Sequence, residues 1–153
     1  MKVNMIENPK IGETVVTIEC SKADDEVLRL ISIINNFGNK KKIICNLGAE
    51  TYFINSKEVL YFESVDRNTY CYTADKVYNT PLRLYEIEEM YTSEDFFRIS
   101  KSCIVNISRI KSIKPDFASK ILATMENGEK IYISRQYVQA FKEKLGISGG
   151  KSK

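Results

Sequence analysis

The chain of 153 residues contains no histidine. That absence removes the usual general base, the usual zinc ligand and every Ser-His or Cys-His nucleophile pairing. None of the seven glycines falls into G-x-x-x-x-G-K-[ST] or G-x-G-x-x-G, so nucleotide hydrolysis and dinucleotide redox chemistry lose their commonest signatures. No cofactor, no metal and no small-molecule substrate are expected. The four cysteines, Cys20, Cys45, Cys71 and Cys103, never form a C-x-x-C pair and mostly sit inside apolar runs. They read as reduced core residues rather than a disulfide frame or a metal site. No apolar run reaches the length of a membrane span, and "MKVNMIENPK" meets Glu7 and Pro9 before a signal core can form. A cytoplasmic protein with no membrane partner is expected. Strong basicity is also missing, because the net charge is only +3. Any nucleic-acid role must come from local patches.

What is present is enough for one ordinary core, at 43% hydrophobic and 28% charged composition. "TVVTIEC", residues 14–20, alternates Val16, Ile18 and Cys20 against Thr17 and Glu19, which predicts a strand. "SKADDEVLRLISIINNFG" places Val27, Leu30, Ile31, Ile34 and Phe37 at helical spacing, with Ser21 or Asp24 as N-cap and Gly38 as terminator. From residue 42 the texture changes to short runs broken by turn residues, "IICNL", "TYFIN", "VLYFESV", "TYCYTA" and "KVYNT", which predict an antiparallel β region. "PLRLYEIEEMY" reads as a helix with Pro81 in its first turn and Leu82, Leu84, Tyr85, Ile87 and Met90 on one side. Asn127 and Gly128 between two β-rich runs predict a hairpin with a two-residue turn. Ser134 then caps "RQYVQAFKEKLG", with Tyr137, Val138, Phe141 and Leu145 inward and Gly146 as stop.

Charge is laid down in blocks. "LYEIEEMYTSED", residues 84–95, holds five acids and no base, whereas "FFRISKSCIVNISRIKSIK", residues 96–114, holds Arg98, Lys101, Arg109, Lys111 and Lys114 and no acid. The acidic block reads as a solvated helix face turned away from any polyanion. Three polar interruptions stand out at element ends: "DRNTY", "ISKSC" and "SRQY". Arg67, Lys101 and Arg135 are cations, Asn68 and Gln136 carry paired amide donors and acceptors, and Thr69, Ser100 and Ser102 can donate to phosphate. Arg135 at a helix start opposes the dipole, a conflict that a bound anion relieves. The competing reading of each segment alone is ordinary solvated surface, with Asn68 a turn residue, Ser134 a cap, and Tyr70, Phe97, Ile104 and Val105 in the core.

"FFRISKSCIVNISRIKSI" followed by "MENGEKIYISRQYVQAFKEKLGI" resembles the LytTR family of bacterial DNA-binding domains, and "EVLYFESVDRNTYCYT" resembles the family's first part. The similarity covers residues 42–147. The resemblance implies a mostly β domain (α+β overall) of elongated packed sheets with short helices, which meets successive major grooves of double-stranded DNA through loops. By position, the family's contact loops fall on Asn68 and Thr69, on Lys101 and Ser102, and on Arg135 and Gln136. Members often carry histidine or asparagine in the first two loops, where this chain has Thr69 and Lys101. Many follow a phosphate-accepting receiver domain, for which the first 41 residues are too few.

The sequence therefore leads to three segments: a β-α extension over 1–41 for dimerisation or sensing, a LytTR-like DNA-binding domain over 42–147 and a frayed tail over 148–153. The expected function is sequence-specific transcriptional regulation with no chemical step, as a homodimer formed partly through the extension, where Leu28 and Ile33 flank the main apolar stripe of the helix. The alternative is a protein-interaction module that recruits a partner through the acidic helix or the N-terminal helix. A catalytic reading, with Lys101 as nucleophile or Glu88 and Glu89 as an acid-base pair, is weak, because adjacent carboxylates on a helix point apart.

Overall fold

The computed structural model describes residues 1–35, 42–91 and 95–147. Phe37, Gly38 and the tail at 148–153 lie outside the described residues. Helix α1 spans Asp25–Asn35, and Asp24 is its cap: the Val27 N–H donates to Asp24 Oδ1 at 3.1 Å. Five strands follow, β1 (Lys42–Leu47), β2 (Glu50–Asn55), β3 (Val59–Val65), β4 (Asn68–Thr73) and β5 (Val77–Thr80). Helix α2 (Leu84–Met90) leads to β6 (Phe96–Ser100), β7 (Cys103–Asn106), β8 (Ile110–Pro115), β9 (Ile121–Met125) and β10 (Lys130–Ile133), and α3 (Arg135–Leu145) closes the described chain. The expected mostly β architecture is present.

The strands form two antiparallel sheets, one in the order β2-β1-β5-β4-β3-β7-β6 and one in the order β10-β9-β8. Alternation along β3, β4 and β7 sends side chains to two separate cores. Phe62, Cys71 and Ile104 point to one face, where Leu82, Leu84, Ile87 and Tyr91 from α2 and its flanks cover them. Ile99, Cys103 and Val105 point to the other face, against Ala123, Met125 and Ile133 of the small sheet and Phe141 of α3. The large sheet is thus the middle layer of a three-layer packing.

Several expectations are corrected. Residues 14–20 carry strand alternation but form no strand, since they have no ladder partner among the described residues, and a strand without a neighbour has unpaired backbone groups that water serves equally well. Cys20 is exposed, whereas Cys45, Cys71 and Cys103 are buried. Pro81 precedes α2 by three residues because Arg83 is extended (φ −87°, ψ 157°) and serves as N-cap. Tyr85 is 60% exposed rather than inward. The Asn127-Gly128 hairpin exists with a longer loop: the Gly128 N–H donates to the Met125 carbonyl at 2.9 Å and the Met125 N–H to the Glu129 carbonyl at 2.8 Å. Of the pair, only Gly128 takes positive φ (93°). Asn127 instead spends its amide on Glu129, donating to Oε1 at 2.8 Å and accepting its N–H at 3.1 Å. Ser134 holds the N-cap position of α3 without a side-chain cap bond.

Asn106 is a buried polar pin, 3% exposed. Its Nδ2 donates to the Val59 carbonyl at 2.8 Å, and its Oδ1 accepts from Ser108 N at 3.1 Å and Ser108 Oγ at 2.7 Å. Asn106→Leu leaves the Val59 carbonyl and the Ser108 N–H without these partners, and is expected to lower unfolding free energy by about 1–3 kcal/mol in denaturant titration. Burial pushes the Cys103 thiol from its ordinary 9.0 up to about 12, with the Glu63 charge adding to the effect. A thiol raised in this way favours the fold below its unfolded pKa and loses that contribution as pH climbs from about 9 to about 12. A thiol-reactive chromophore at neutral pH is expected to label one cysteine rapidly, Cys20, and the other three only on unfolding.

Candidate nucleic-acid interface

The three polar segments meet at one end of the large sheet. β3 runs antiparallel to β7 with Glu63 opposite Cys103, so the β3–β4 turn and the β6–β7 turn emerge side by side. The Ser64 N–H donates to the Ser102 carbonyl at 2.8 Å, which fastens these two turns. The start of α3 joins them through the Ser134 N–H, which donates to the Ile99 carbonyl at 2.9 Å. Residues separated by almost 70 positions in sequence therefore share one rim.

Val65 pairs with Asn68, so Asp66 and Arg67 form a two-residue hairpin turn, and both have positive φ (49° and 70°). That conformation matches the twist of paired strands but is normally assigned to Asn-Gly. Asp tolerates it through local hydrogen bonding, whereas Arg67 pays a steric cost of about 1–2 kcal/mol. A cation is kept at the tip in place of the glycine that would fit best. Arg67 and Asn68 are exposed. Thr69 is only 5% exposed, because the alternation that frees Asn68 turns its neighbour inward between Ser64 and Thr80. Thr69 is thus buried beside the exposed Asn68 and does not share its place on the rim.

In the second turn Ser100 pairs with Cys103, which leaves Lys101 and Ser102 exposed at the tip. Ser100 is partly buried, and its Oγ accepts the Ser102 N–H at 3.2 Å. Arg98 holds this turn from behind. Its Nε donates to the Ser100 carbonyl at 2.8 Å, its Nη2 to the Lys101 carbonyl at 2.6 Å, and its Nη1 to Glu88 Oε1 on α2. Arg83, the N-cap of α2, donates from Nη1 to the Arg67 carbonyl at 3.3 Å. In the third segment Arg135 and Gln136 are exposed on the first turn of α3, where backbone N–H groups lack intrahelical partners.

The acidic helix keeps a solvated face, with Glu88 and Glu89 exposed, and also takes part in the scaffold of this rim. Glu88 holds Arg98, and Glu86 accepts the Arg83 N–H at 2.9 Å while lying 3.5 Å from Arg29 of α1. The basic run is likewise divided. Arg109 donates to the Lys57 carbonyl at 2.6 Å and to Glu126 Oε1 at 2.9 Å, and it follows the end of β7 remote from the Lys101 turn. Lys101, Lys111 and Lys114 stay exposed. Arg98 and Arg83 were not singled out as site residues from the sequence. The available signal was the acid block immediately preceding a base block, which marks two segments able to pair.

A model of the LytTr DNA-binding domain matches residues 49–146. Uncharacterized HTH-type transcriptional regulators of Staphylococcus aureus strains MSSA476 and MW2 are each 30% identical over 147 residues, covering 96% of this chain and 99% of theirs. The LytTr DNA-binding domain of a Bacillus cereus protein, described as a methyl-accepting/DNA response regulator, superposes with a TM-score of 0.67 at 30% identity, over 71% of this chain and 99% of that one. The aligned regulators are called helix-turn-helix proteins, yet strands separate all three α-helices among the described residues here. With two antiparallel sheets, loops gathered at one rim and agreement in both sequence and structure, the chain belongs to the LytTr DNA-binding domain family and is a DNA-binding transcription regulator.

Proposed function

We propose that the rim formed by the β3–β4 turn, the β6–β7 turn and the start of α3 is the surface that reads duplex DNA, with loops entering successive major grooves. The observation that carries this reading is the pair of backbone hydrogen bonds, Ser64 to Ser102 and Ser134 to Ile99, which lock the three polar segments into one rigid unit. Arg67, Lys101 and Arg135 supply affinity by displacing counterions from phosphates. Asn68, Lys101, Arg135 and Gln136 supply discrimination through base edges, Asn and Gln toward adenine and the cations toward guanine. Ser102 donates to backbone phosphate, and Ser100 acts inside its own turn.

Binding is the whole mechanism, with no chemical step, in the bacterial cytoplasm and as a homodimer whose two rims meet paired half-sites. Among the described residues no helix is long and apolar enough to cross a membrane. Glu86 and Glu88 spend their charge inside the chain, which leaves less of the acidic face for an outside partner.

Lys101→Ala and Arg135→Ala are expected to fold normally, because both side chains are exposed. Each costs about 1–3 kcal/mol in binding to an operator selected from random duplexes if it touches a base, and weakens all sequences alike if it touches phosphate. Unchanged affinity and selectivity in both variants would exclude this surface. Arg98→Ala is expected to weaken operator binding with no change in the number of exposed cations, and Arg98→Lys to restore little, since a single ammonium cannot serve two carbonyls and a carboxylate in fixed geometry. Arg67→Gly separates strain from function: thermal stability holds or rises while affinity for all duplexes falls, measured by melting and by titration at two salt concentrations.

A further inference from the structure

We propose that residues 14–20 form a β-strand in trans, pairing antiparallel along the exposed edge of β2 in a second copy of the chain, with the reciprocal pairing closing a two-fold dimer. The proposal rests on the homodimer reading above and gives that dimer its contact.

The segment "TVVTIEC" has the β-branched content and the period of a strand, yet it makes no ladder in its own chain. Val15 and Val16 are 68% and 58% exposed. They belong to a longer apolar arm in which Met1, Val3, Met5, Ile6 and Ile11 are each at least half exposed. Seven large apolar side chains on one solvated arm leave a large hydrophobic area unburied. The alternation specifies what would bury it, because a strand needs the free backbone groups of a sheet edge.

The described edges differ in their availability. β6 is occupied, since its Ile99 carbonyl accepts from the start of α3 and α3 packs along it. β8 carries Lys111, Lys114 and Pro115, residues that discourage addition of another strand. β10 begins with Lys130, and Lys120 lies over its Tyr132 ring. β2, with the sequence "ETYFIN", has neither lysine nor proline, pairs only with β1, and presents Phe53 at 57% exposure. It is the one edge of the large sheet left both open and apolar among the described residues.

A second copy is the occupant because each copy carries both the segment and the edge, so a single two-fold axis satisfies both contacts at once. Within one chain α1 packs on β1, beside β2, and is fastened by Arg29 Nε donating to the Pro81 carbonyl at 3.1 Å. The arm nevertheless makes no ladder with its own β2, and all of residues 14–20 except Ile18 are exposed. Antiparallel addition brings Lys22, just beyond the segment, toward Glu50 at the start of the partner's β2, which is a complementary pairing of charge.

The test uses the full chain. Light scattering at tens of micromolar is expected to give a dimer, and hydrogen exchange to show amide protection over 14–20 that disappears on dilution to monomer. Val16→Pro removes a ladder donor at an exposed position and is expected to abolish the dimer while circular dichroism and melting of the domain stay unchanged. Thr51→Cys, oxidised mildly, is expected to join the native Cys20 of the other copy and give a covalent dimer on a denaturing gel. A monomeric wild-type mass, free and on a two-site duplex, overturns the homodimer reading itself. A dimer that survives Val16→Pro with 14–20 unprotected overturns the strand contact alone. Protection of 14–20 in a monomer, with only intrachain linkage from Thr51→Cys, means that the segment folds onto its own β2 and overturns the pairing in trans.

Discussion

The antiparallel pairing of β3 with β7 is the contact on which the rest of the structure depends. It joins Tyr61, Phe62 and Glu63 to Val105, Ile104 and Cys103 and thereby unites two hairpins whose strands lie about 40 positions apart. Its polarity sends the β3–β4 and β6–β7 turns out of the same end of the sheet. Its alternation divides the buried side chains between the core under α2 and the core shared with the small sheet and α3. The remote end is closed by Asn106, whose amide ties the end of β7 to the start of β3. One ladder thus fixes both the layered core and the location of the polar rim.

Around that ladder the arginines and lysines divide their labour according to their chemistry. A guanidinium presents five donors in a rigid fork, well suited to satisfying carbonyls that a turn leaves unpaired. Arg98 does this for Ser100 and Lys101, Arg109 for Lys57, and Arg83 for Arg67. Lys101, by contrast, is exposed at the tip of a turn whose backbone is already held. Acidic residues complete the arrangement, because Glu88 fixes the outer side of the Arg98 fork. A block of acids followed by a block of bases therefore encodes a scaffold and the turn it supports, while Lys101, Lys111 and Lys114 keep their charge exposed.

The N-terminal region follows a different logic. α1 is held to the domain by packing on β1 and by Arg29 reaching Pro81 and Glu86, so it communicates with α2, the same helix that supports both turns. The arm before it carries apolar residues that no described part of the same chain buries. Alignment with the staphylococcal regulators over 147 residues runs through this region, whereas the likeness to the isolated Bacillus cereus domain is confined to 71% of the chain. The N-terminal region is thus aligned with these relatives, and α1 is physically coupled to the sheet and to α2.

Local chemistry alone determined where most elements lie. β-branched runs between turn residues located β1 to β5, and helical spacing with a glycine stop located α3, because these signals act within a few residues. Where the outcome depended on a neighbour distant in sequence, local chemistry could not decide it. The alternation at 14–20 supplies a strand's side chains but not the edge that a strand requires, and the Asn127-Gly128 pair marks a turn whose length is set by the register of β9 against β10. Among the candidate site residues chosen for charge and hydrogen-bonding capacity, Arg67, Asn68, Lys101, Ser102, Arg135 and Gln136 are exposed, whereas Thr69 is buried by the pleat, since burial depends on which face of the sheet is covered. The Arg98 fork finds the Ser100 and Lys101 carbonyls within its own turn, whereas its pairing with Glu88 and the reach of Arg83 to the Arg67 carbonyl were decided by tertiary structure alone, because those partners come within reach only when α2 packs over the end of β3 and β6.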